Sequence, residues 1–295
     1  MKNYGLIIEK PKKEDYFFGS DTKINFEVLQ ENGNWKPFVP VYEYQNTNFE
    51  TMACVSFSAL NCLEIMHKRK YGYEMNWSDR FTSKVSGTTT RGNSLRNVAE
   101  SIRKTDGIIR QDLWPNVGKN WQEWYAQIPP NIRGQALNNL DKYFIQYEWV
   151  GTDKNTLREA LKTAPVQIGI YAYGKKVNGV YQRTLNRPNH LITLLSIGKD
   201  GVYECFDHYL GNEYRLLASD YFIGFAMKFN INKITMDFYQ RPNDNKIYQF
   251  GDDGLYHWII SEKTFKKLYG EFSEVNIIKK DITDMEIGES IGLII

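Results

Sequence analysis

The apolar period of this sequence changes once, near Pro165, and that change constrains the fold more than any other feature. Upstream, Val55, Ala59, Cys62 and Met66 recur at helical spacing within residues 51–70. Phe57, Leu60 and Leu63 widen the apolar surface there, which predicts a helix buried on most sides. A second helix is marked by Asn93 or Ser94 as cap and by Leu95, Val98, Ala99 and Ile102 on one face. Helical patterns also fit residues 121–127, 131–146 and 153–163. Downstream, residues 166–173, 190–197, 202–206, 213–217 and 224–230 are β-branched or aromatic runs, with Lys199-Asp-Gly201 as a hairpin turn between two of them. Helices first and strands second predict an α+β protein with two lobes.

Two segments fall outside that pattern. Residues 1–38 hold two extended runs, Tyr4–Glu9 and Ile24–Leu29, followed by the turn signal Asn32-Gly33, and read as an N-terminal β extension. Residues 39–235 then form the main domain. Residues 236–295 carry the turns Arg241-Pro-Asn-Asp-Asn245 and Asp252-Asp-Gly254 and read as a small separate module. A chain of 295 residues buries a sizeable core without metals or disulfides. Its formal charge of +2 points to neither nucleic acid nor an anionic membrane. No run of apolar residues is long enough to span a bilayer, and Gly5–Ile8 is too short for the core of a signal peptide. A soluble, cytoplasmic chain is the expectation.

Three cysteines, Cys54, Cys62 and Cys205, are an odd and sparse set without zinc spacing, as expected of free thiols. Cys54 opens the buried helix, where unpaired amides and the positive end of the helix dipole favour a thiolate. A small buried hydrophobe is the alternative reading of the same residue. Cys62 lies eight residues on, about 12 Å along the axis, and reads as a core thiol. His190 opens the most apolar strand run and Asp207 ends the next one, so adjacent antiparallel strands can bring the two side chains together and fix the imidazole tautomer. Among the other histidines, His67 reads as a surface residue near a helix C-terminus. Strand alternation turns His208 away from Asp207, and His257 reads as a packing residue of the last segment.

The flanking residues carry a resemblance. Pro40-Val41 to Gln45, followed by Cys54-Val-Ser-Phe-Ser-Ala59, resembles the approach to the nucleophile in papain-like cysteine peptidases. Ser86 to Asn93 stands where that family has a glycine-rich strip that pairs with substrate backbone. Asp106-Gly-Ile-Ile109, Leu113-Trp-Pro115, Ala164-Pro-Val-Gln-Ile-Gly169 and Asn189-His190 follow in the family's order. His190 lies 136 residues after Cys54, inside the family's range of about 130 to 150. Asp207-His-Tyr-Leu-Gly211 stands where the family has asparagine, serine, tryptophan and glycine. The sequence departs from the family in three further ways: Gln45 precedes Cys54 by nine residues, a longer loop than usual, Val55 replaces a tryptophan, and Leu191 replaces an alanine.

This resemblance implies a papain-like two-lobe fold over residues 39–235, with an active-site cleft between a helical and an antiparallel β lobe. It implies a cysteine endopeptidase acting on a peptide or protein substrate without metal or cofactor. Cys54 is then the nucleophile, His190 the base, Asp207 its orienter and Gln45 an oxyanion donor beside the Cys54 amide. Gly92, Asn93 and Asn189 bind substrate backbone. No long inhibitory prosegment is expected upstream of residue 40. The last segment resembles a short strand-strand-helix module of bacterial and phage proteins, a possible site for a protein partner. Two other readings stay open: a catalytically idle papain-fold component, for example of a virion, and a related amidase or acyl transferase.

Overall fold

A computed structural model of the chain describes residues 2–12, 15–19, 27–184, 187–209, 214–233, 238–240, 246–250, 256–259, 261 and 277–279. The chain divides into two units, Met1–Asn232 and Lys233–Ile295. In the first, the predicted buried helix forms as α1, Cys54–Tyr71, and every residue from Cys54 to His67 is buried. Gly72 closes it in the left-handed conformation (φ 78°), its N–H returning to the Lys68 carbonyl. His67 is therefore not a surface residue: its ring is fully buried among Tyr71, Tyr73, Trp77 and Tyr143. The aromatic side chains around the last turn of α1 replace solvent there.

Short helices flank α1. They are α2 (Asp79–Val85), capped by the Ser78 hydroxyl, which accepts from the Phe81 N–H, and α3 (Leu95–Glu100), capped likewise by Ser94. After them come α4 (Trp121–Trp124) and α5 (Pro130–Asn138). The sequence reading missed α2, although Ser78 three residues before Phe81 is a cap signal. It also carried the last of these helices too far. The chain leaves α5 at Asn138, and Tyr143–Trp149 is strand β1, with Ile145, Tyr147 and Trp149 buried. Alternation in Phe-Ile-Gln-Tyr outweighs helical periodicity because the neighbouring strand β8 offers a backbone partner.

After α6 (Lys154–Leu161), the remaining strands are β2 (Val166–Ile170), β3 (Lys176–Val177), β4 (Val180–Tyr181), β5 (His190–Ile197), β6 (Tyr203–Phe206), β7 (Tyr214–Leu217) and β8 (Ile223–Lys233). They form one sheet with β1, in the order β1-β8-β2-β5-β6-β7-β4-β3. Strands β8, β2, β5, β6 and β7 pair antiparallel in turn, as do β3 and β4, whereas β4 pairs parallel with β7. Helix α1 lies on β2 and β5: Gln167 Nε2 donates to the Val55 carbonyl (2.9 Å) and to Ser58 Oγ (2.7 Å). Cys62 Sγ lies 3.9 Å from Thr193 Oγ1 in this contact, a core thiol as expected. The fold is α+β, with a helical part and a β part meeting where α1 and β5 begin.

The N-terminal residues are described in part. Gly33 makes the expected turn (φ 61°, N–H to the Gln30 carbonyl, 2.8 Å), but Ile24 to Phe26 lie outside the described residues. The other run, Tyr4 to Glu9, lies along the main unit, with isolated parallel bridges at Leu6 to Asn93 and Phe17 to Trp149. In the second unit, β9 (Phe238–Gln240), β10 (Ile247–Phe250), β11 (Tyr256–Ile259) and β12 (Ile277–Lys279) form a sheet ordered β11-β10-β9-β12. His257 pairs with Gln249 in that sheet. The turn at Asp252 and the helix expected near Phe265 lie outside the described residues. Among the described residues, no helix is long and apolar enough to cross a membrane.

Candidate active site

Cys54 is the first residue of α1, preceded by a cap residue, Ala53, whose side chain has no oxygen to offer the exposed amides. His190 is the first residue of β5, paired with Ile170. Because β6 returns antiparallel with Phe206 opposite Thr193, Asp207 emerges beside the start of β5. Its Oδ1 lies 2.8 Å from His190 Nε2, and both side chains are completely buried. Oδ2 accepts from the Tyr173 hydroxyl (2.6 Å) and from Arg215 Nε (3.0 Å). Burial alone would raise the Asp207 pKa, but the adjacent His190, His208 and Tyr173 bring it down to about 2, so the carboxylate is ionised. With Nε2 committed to Asp207, Nδ1 is the nitrogen left for a thiol; it is buried and makes no hydrogen bond among the described residues.

His208 is a correction. Strand β6 ends at Phe206, so alternation no longer governs the next residues, and the His208 ring stands 5.2 Å from that of His190 while stacking on Phe57 at 5.2 Å. It is fully buried, neither ring nitrogen has a hydrogen-bond partner among the described residues, and burial lowers its pKa to about 3, which keeps it neutral. The ligating atoms of His190, Asp207 and His208 lie within 4.8 Å of one another, the one such cluster among the described residues. Both Asp207 oxygens are already taken and a guanidinium adjoins one of them, an environment suited to proton transfer and ill suited to a second cation. Tyr209 stands edge-on to His190 at 6.0 Å and its hydroxyl donates to Glu50 (2.7 Å).

The remaining predicted residues hydrogen-bond the chain's own N-terminal segment. Gln45 Nε2 donates to the Tyr4 carbonyl (3.0 Å) and to Glu50 (2.5 Å), and the Gln45 N–H is fixed on the His208 carbonyl (3.0 Å). The long loop from Gln45 to Cys54 thus closes on Glu50, which also accepts from the Met52 N–H (3.3 Å). Asn189 accepts the Tyr4 N–H (3.0 Å), and its side chain donates to the Lys2 carbonyl (2.7 Å). Asn93 donates its N–H to the Gly5 carbonyl (2.9 Å) and accepts the Ile7 N–H (2.8 Å). Gly92 (φ 99°) lies so close that a Cβ there would sit 2.0 Å from the Gly5 oxygen.

The state of Cys54 is one further departure from expectation. The Cys54 thiol is completely buried, and burial pushes its pKa up, aided by Glu50 and Asp207 and only partly offset by the Leu191 N–H. The Tyr4 ring packs on His190 at 5.1 Å. A short stretch far upstream therefore packs on the candidate base. Its extended pattern was legible in the sequence, but its partners, 41 or more residues away, were not.

No protein-family model matches this chain, and no curated protein matches it significantly in sequence. Solved structures do match in fold. The Amb a 11 cysteine protease, a ragweed pollen allergen crystallised in its proform, is 19% identical with a TM-score of 0.56, covering 70% of this chain and 68% of that one. Digestive procathepsin L2 from the larval midgut of Tenebrio molitor is 14% identical with a TM-score of 0.55 and 77% coverage of each chain. The cysteine protease and lectin-like domains of a surface layer associated protein of Clostridium difficile are 15% identical with a TM-score of 0.59. They cover 84% of this chain, which spans 61% of that one. The fold is that of the papain-like cysteine proteases.

Proposed function

We propose that this chain is a cysteine peptidase of papain type whose cleft is closed by its own residues 2–9. The observation that carries the reading is an extended peptide held by Gln45, Asn93 and Asn189, with its Tyr4 ring packed on His190 of the His190–Asp207 pair. In the open enzyme, the Cys54 thiolate attacks the substrate carbonyl carbon while His190 holds the proton the thiol gave up. The resulting oxyanion accepts from the Cys54 amide, which the helix leaves unused, and from Gln45 Nε2, now released from Tyr4. Collapse of the intermediate expels the amine, protonated by His190, and leaves an acyl-thioester. His190 then activates water to release the acid. Asp207 accepts the Nε2–H of His190 throughout, which leaves Nδ1 free to take the thiol proton and give it to the leaving amine. In the closed state, burial holds the thiol in its uncharged form, so the Tyr4 carbonyl over the site is not attacked.

We assign this chemistry to residues 39–235 and assign residues 236–295 to contacts with a protein partner. Turnover of a fluorogenic peptide library by a chain lacking residues 1–9, with Cys54→Ala as control and labelling of Cys54 by an epoxide inhibitor, tests the reading. Turnover and label that both vanish in Cys54→Ala support it. Label without turnover of any peptide favours an amidase or acyl transferase on the same site, and neither label nor turnover favours a binding-only protein.

A further inference from the structure

In the family this chain resembles, an asparagine orients the histidine, and here a carboxylate does so. Here a full negative charge stands 2.8 Å from the imidazole with both side chains fully buried, and an uncompensated charge so placed favours a protonated ring. Proton return to a leaving amine would be slowed by that preference. The charge is not left bare. Arg215, on β7 opposite Cys205, reaches Asp207 Oδ2 from the side His190 does not use, with Nε at 3.0 Å. Its side chain is only 9% exposed. Arg215 Nη1 donates to the Tyr181 hydroxyl (3.1 Å), and the guanidinium lies over the rings of Tyr173 at 4.7 Å and Tyr181 at 5.8 Å. Those two rings stack at 4.5 Å, and Tyr173 also donates to Asp207 Oδ2. The guanidinium is thus held by a carboxylate, a hydroxyl and two aromatic rings.

We propose that Arg215 is a positioning residue of the catalytic pair: it pins Asp207 and cancels its charge, so that His190 meets a carboxylate with the geometry of an acceptor and the net charge of an amide. The proposal rests on the peptidase reading for its purpose, but the electrostatic claim stands on the geometry. An aspartate and an arginine eight residues apart in sequence together replace one asparagine. The other titratable groups facing the pair are Tyr4, Cys54, Tyr173, Cys205, His208 and Tyr209, with Glu50 beyond Gln45. His208 is neutral through the range tested, and Glu50 is turned to Gln45, Met52 and Tyr209. None of them supplies the positive charge that Arg215 does.

The test is an NMR titration of the His190 ring in the full chain with isotope-labelled histidine, resonances being assigned by single His→Gln variants among the four histidines. It needs no turnover, so a chain that fails every peptide assay still reports on the proposal. Arg215→Met is expected to raise the titration midpoint of His190 by about one pH unit, the lower end of the effect of a nearby charge. Arg215→Lys, which keeps the charge, stays near the parent. Asp207→Asn lowers the midpoint, and the Asp207→Asn, Arg215→Met double variant returns it close to the parent. Tyr173→Phe, which removes a hydrogen bond but no charge, leaves it within a few tenths of a unit. Should Arg215→Met not fold, Arg215→Gln carries the same expectation. An unmoved midpoint in the uncharged Arg215 variants overturns the proposal, as does a shift in Tyr173→Phe or Arg215→Lys as large as theirs.

Discussion

At Cys54 two effects oppose each other on one sulfur atom. The helix start favours the thiolate by roughly 0.3 to 2 kcal/mol, whereas full burial shifts a titrating group by several units of about 1.4 kcal/mol each. Burial therefore wins while the N-terminal segment is in place. Gln45 is held in the same balance: it donates to Tyr4 in the closed state. In a chain lacking residues 1–9, Gln45→Ala should lower kcat by about 10² to 10³ with little change in KM, because the bond strengthens only as the oxyanion forms. Steady-state kinetics on one fluorogenic peptide measures this, and near-parental kcat would move the oxyanion role to another donor. His208 gives a pH prediction. Its pKa falls from an ordinary 6.5 to about 3 in the folded protein. The unfolded chain thus binds the extra proton between those values, and stability is full above pH 6.5 and is lost as the pH falls toward 3. The loss reaches several kcal/mol, at most about 5. His208→Phe, which keeps the stack on Phe57, should flatten urea-denaturation stability between pH 6 and pH 4; an unchanged slope would assign the acid sensitivity to other groups.

The element that decides the state of the site is the stretch Lys2 to Glu9. A buckle follows it: Arg96 pairs with Asp15, one contact being 2.6 Å, and the Arg96 N–H donates to Glu9 (2.7 Å). Gly92 lets the stretch lie flat on the strip. Gly92→Ala should push it away, since a Cβ meets backbone oxygen and the φ of 99° is unfavourable for any other residue. The expected outcome is Cys54 alkylation at least about tenfold faster, at about 1 to 3 kcal/mol of lost stability. Peptide mapping of the alkylated protein reads it, and an unchanged rate would show that these residues do not govern access. Elements of this kind mark the limit of what a sequence reveals. The long apolar run of α1 and the all-apolar β5 carry their own signal, and so do the residues at their starts, Cys54 and His190. The extended run at Tyr4 was legible as extended, while its partner was not, because docking depends on contacts with residues 93 and 189 rather than on local propensity. Asp207 was found by strand adjacency. Arg215 was not, since a single arginine in a short strand has no pattern. His208 was misread because alternation was carried one residue past the end of β6.

For the whole molecule, the question is which residues the catalytic unit needs. Its main core runs from Leu6 to Ile231 and combines α1, β1, β2, β5 and β8. Strand β8 lies between β1 and β2 and contributes Ala226, Met227, Phe229 and Ile231 to that core. It also buries Lys228, whose Nζ is 3.3 Å from Glu148, 2.9 Å from Thr163 Oγ1 and 4.0 Å from the centre of the Phe18 ring. Desolvation lowers the Lys228 pKa to about 8, with Glu148 opposing that shift. Such an ion pair tolerates the loss of neither partner. The second unit forms a separate four-stranded sheet. Cutting the chain after residue 235 should therefore leave a monodisperse protein whose melting temperature lies within about 4 °C of that of the full chain, corresponding to about 1 kcal/mol or less. Cys54 should also alkylate at an unchanged rate. Cutting after residue 222, which removes β8, should abolish cooperative unfolding, because β1 and β2 each lose a partner and the Glu148 carboxylate stays buried alone. Circular dichroism melts and size exclusion on both truncations decide the matter: a 1–235 chain that aggregates or melts far below the parent would show that the second unit takes part in the fold of the first.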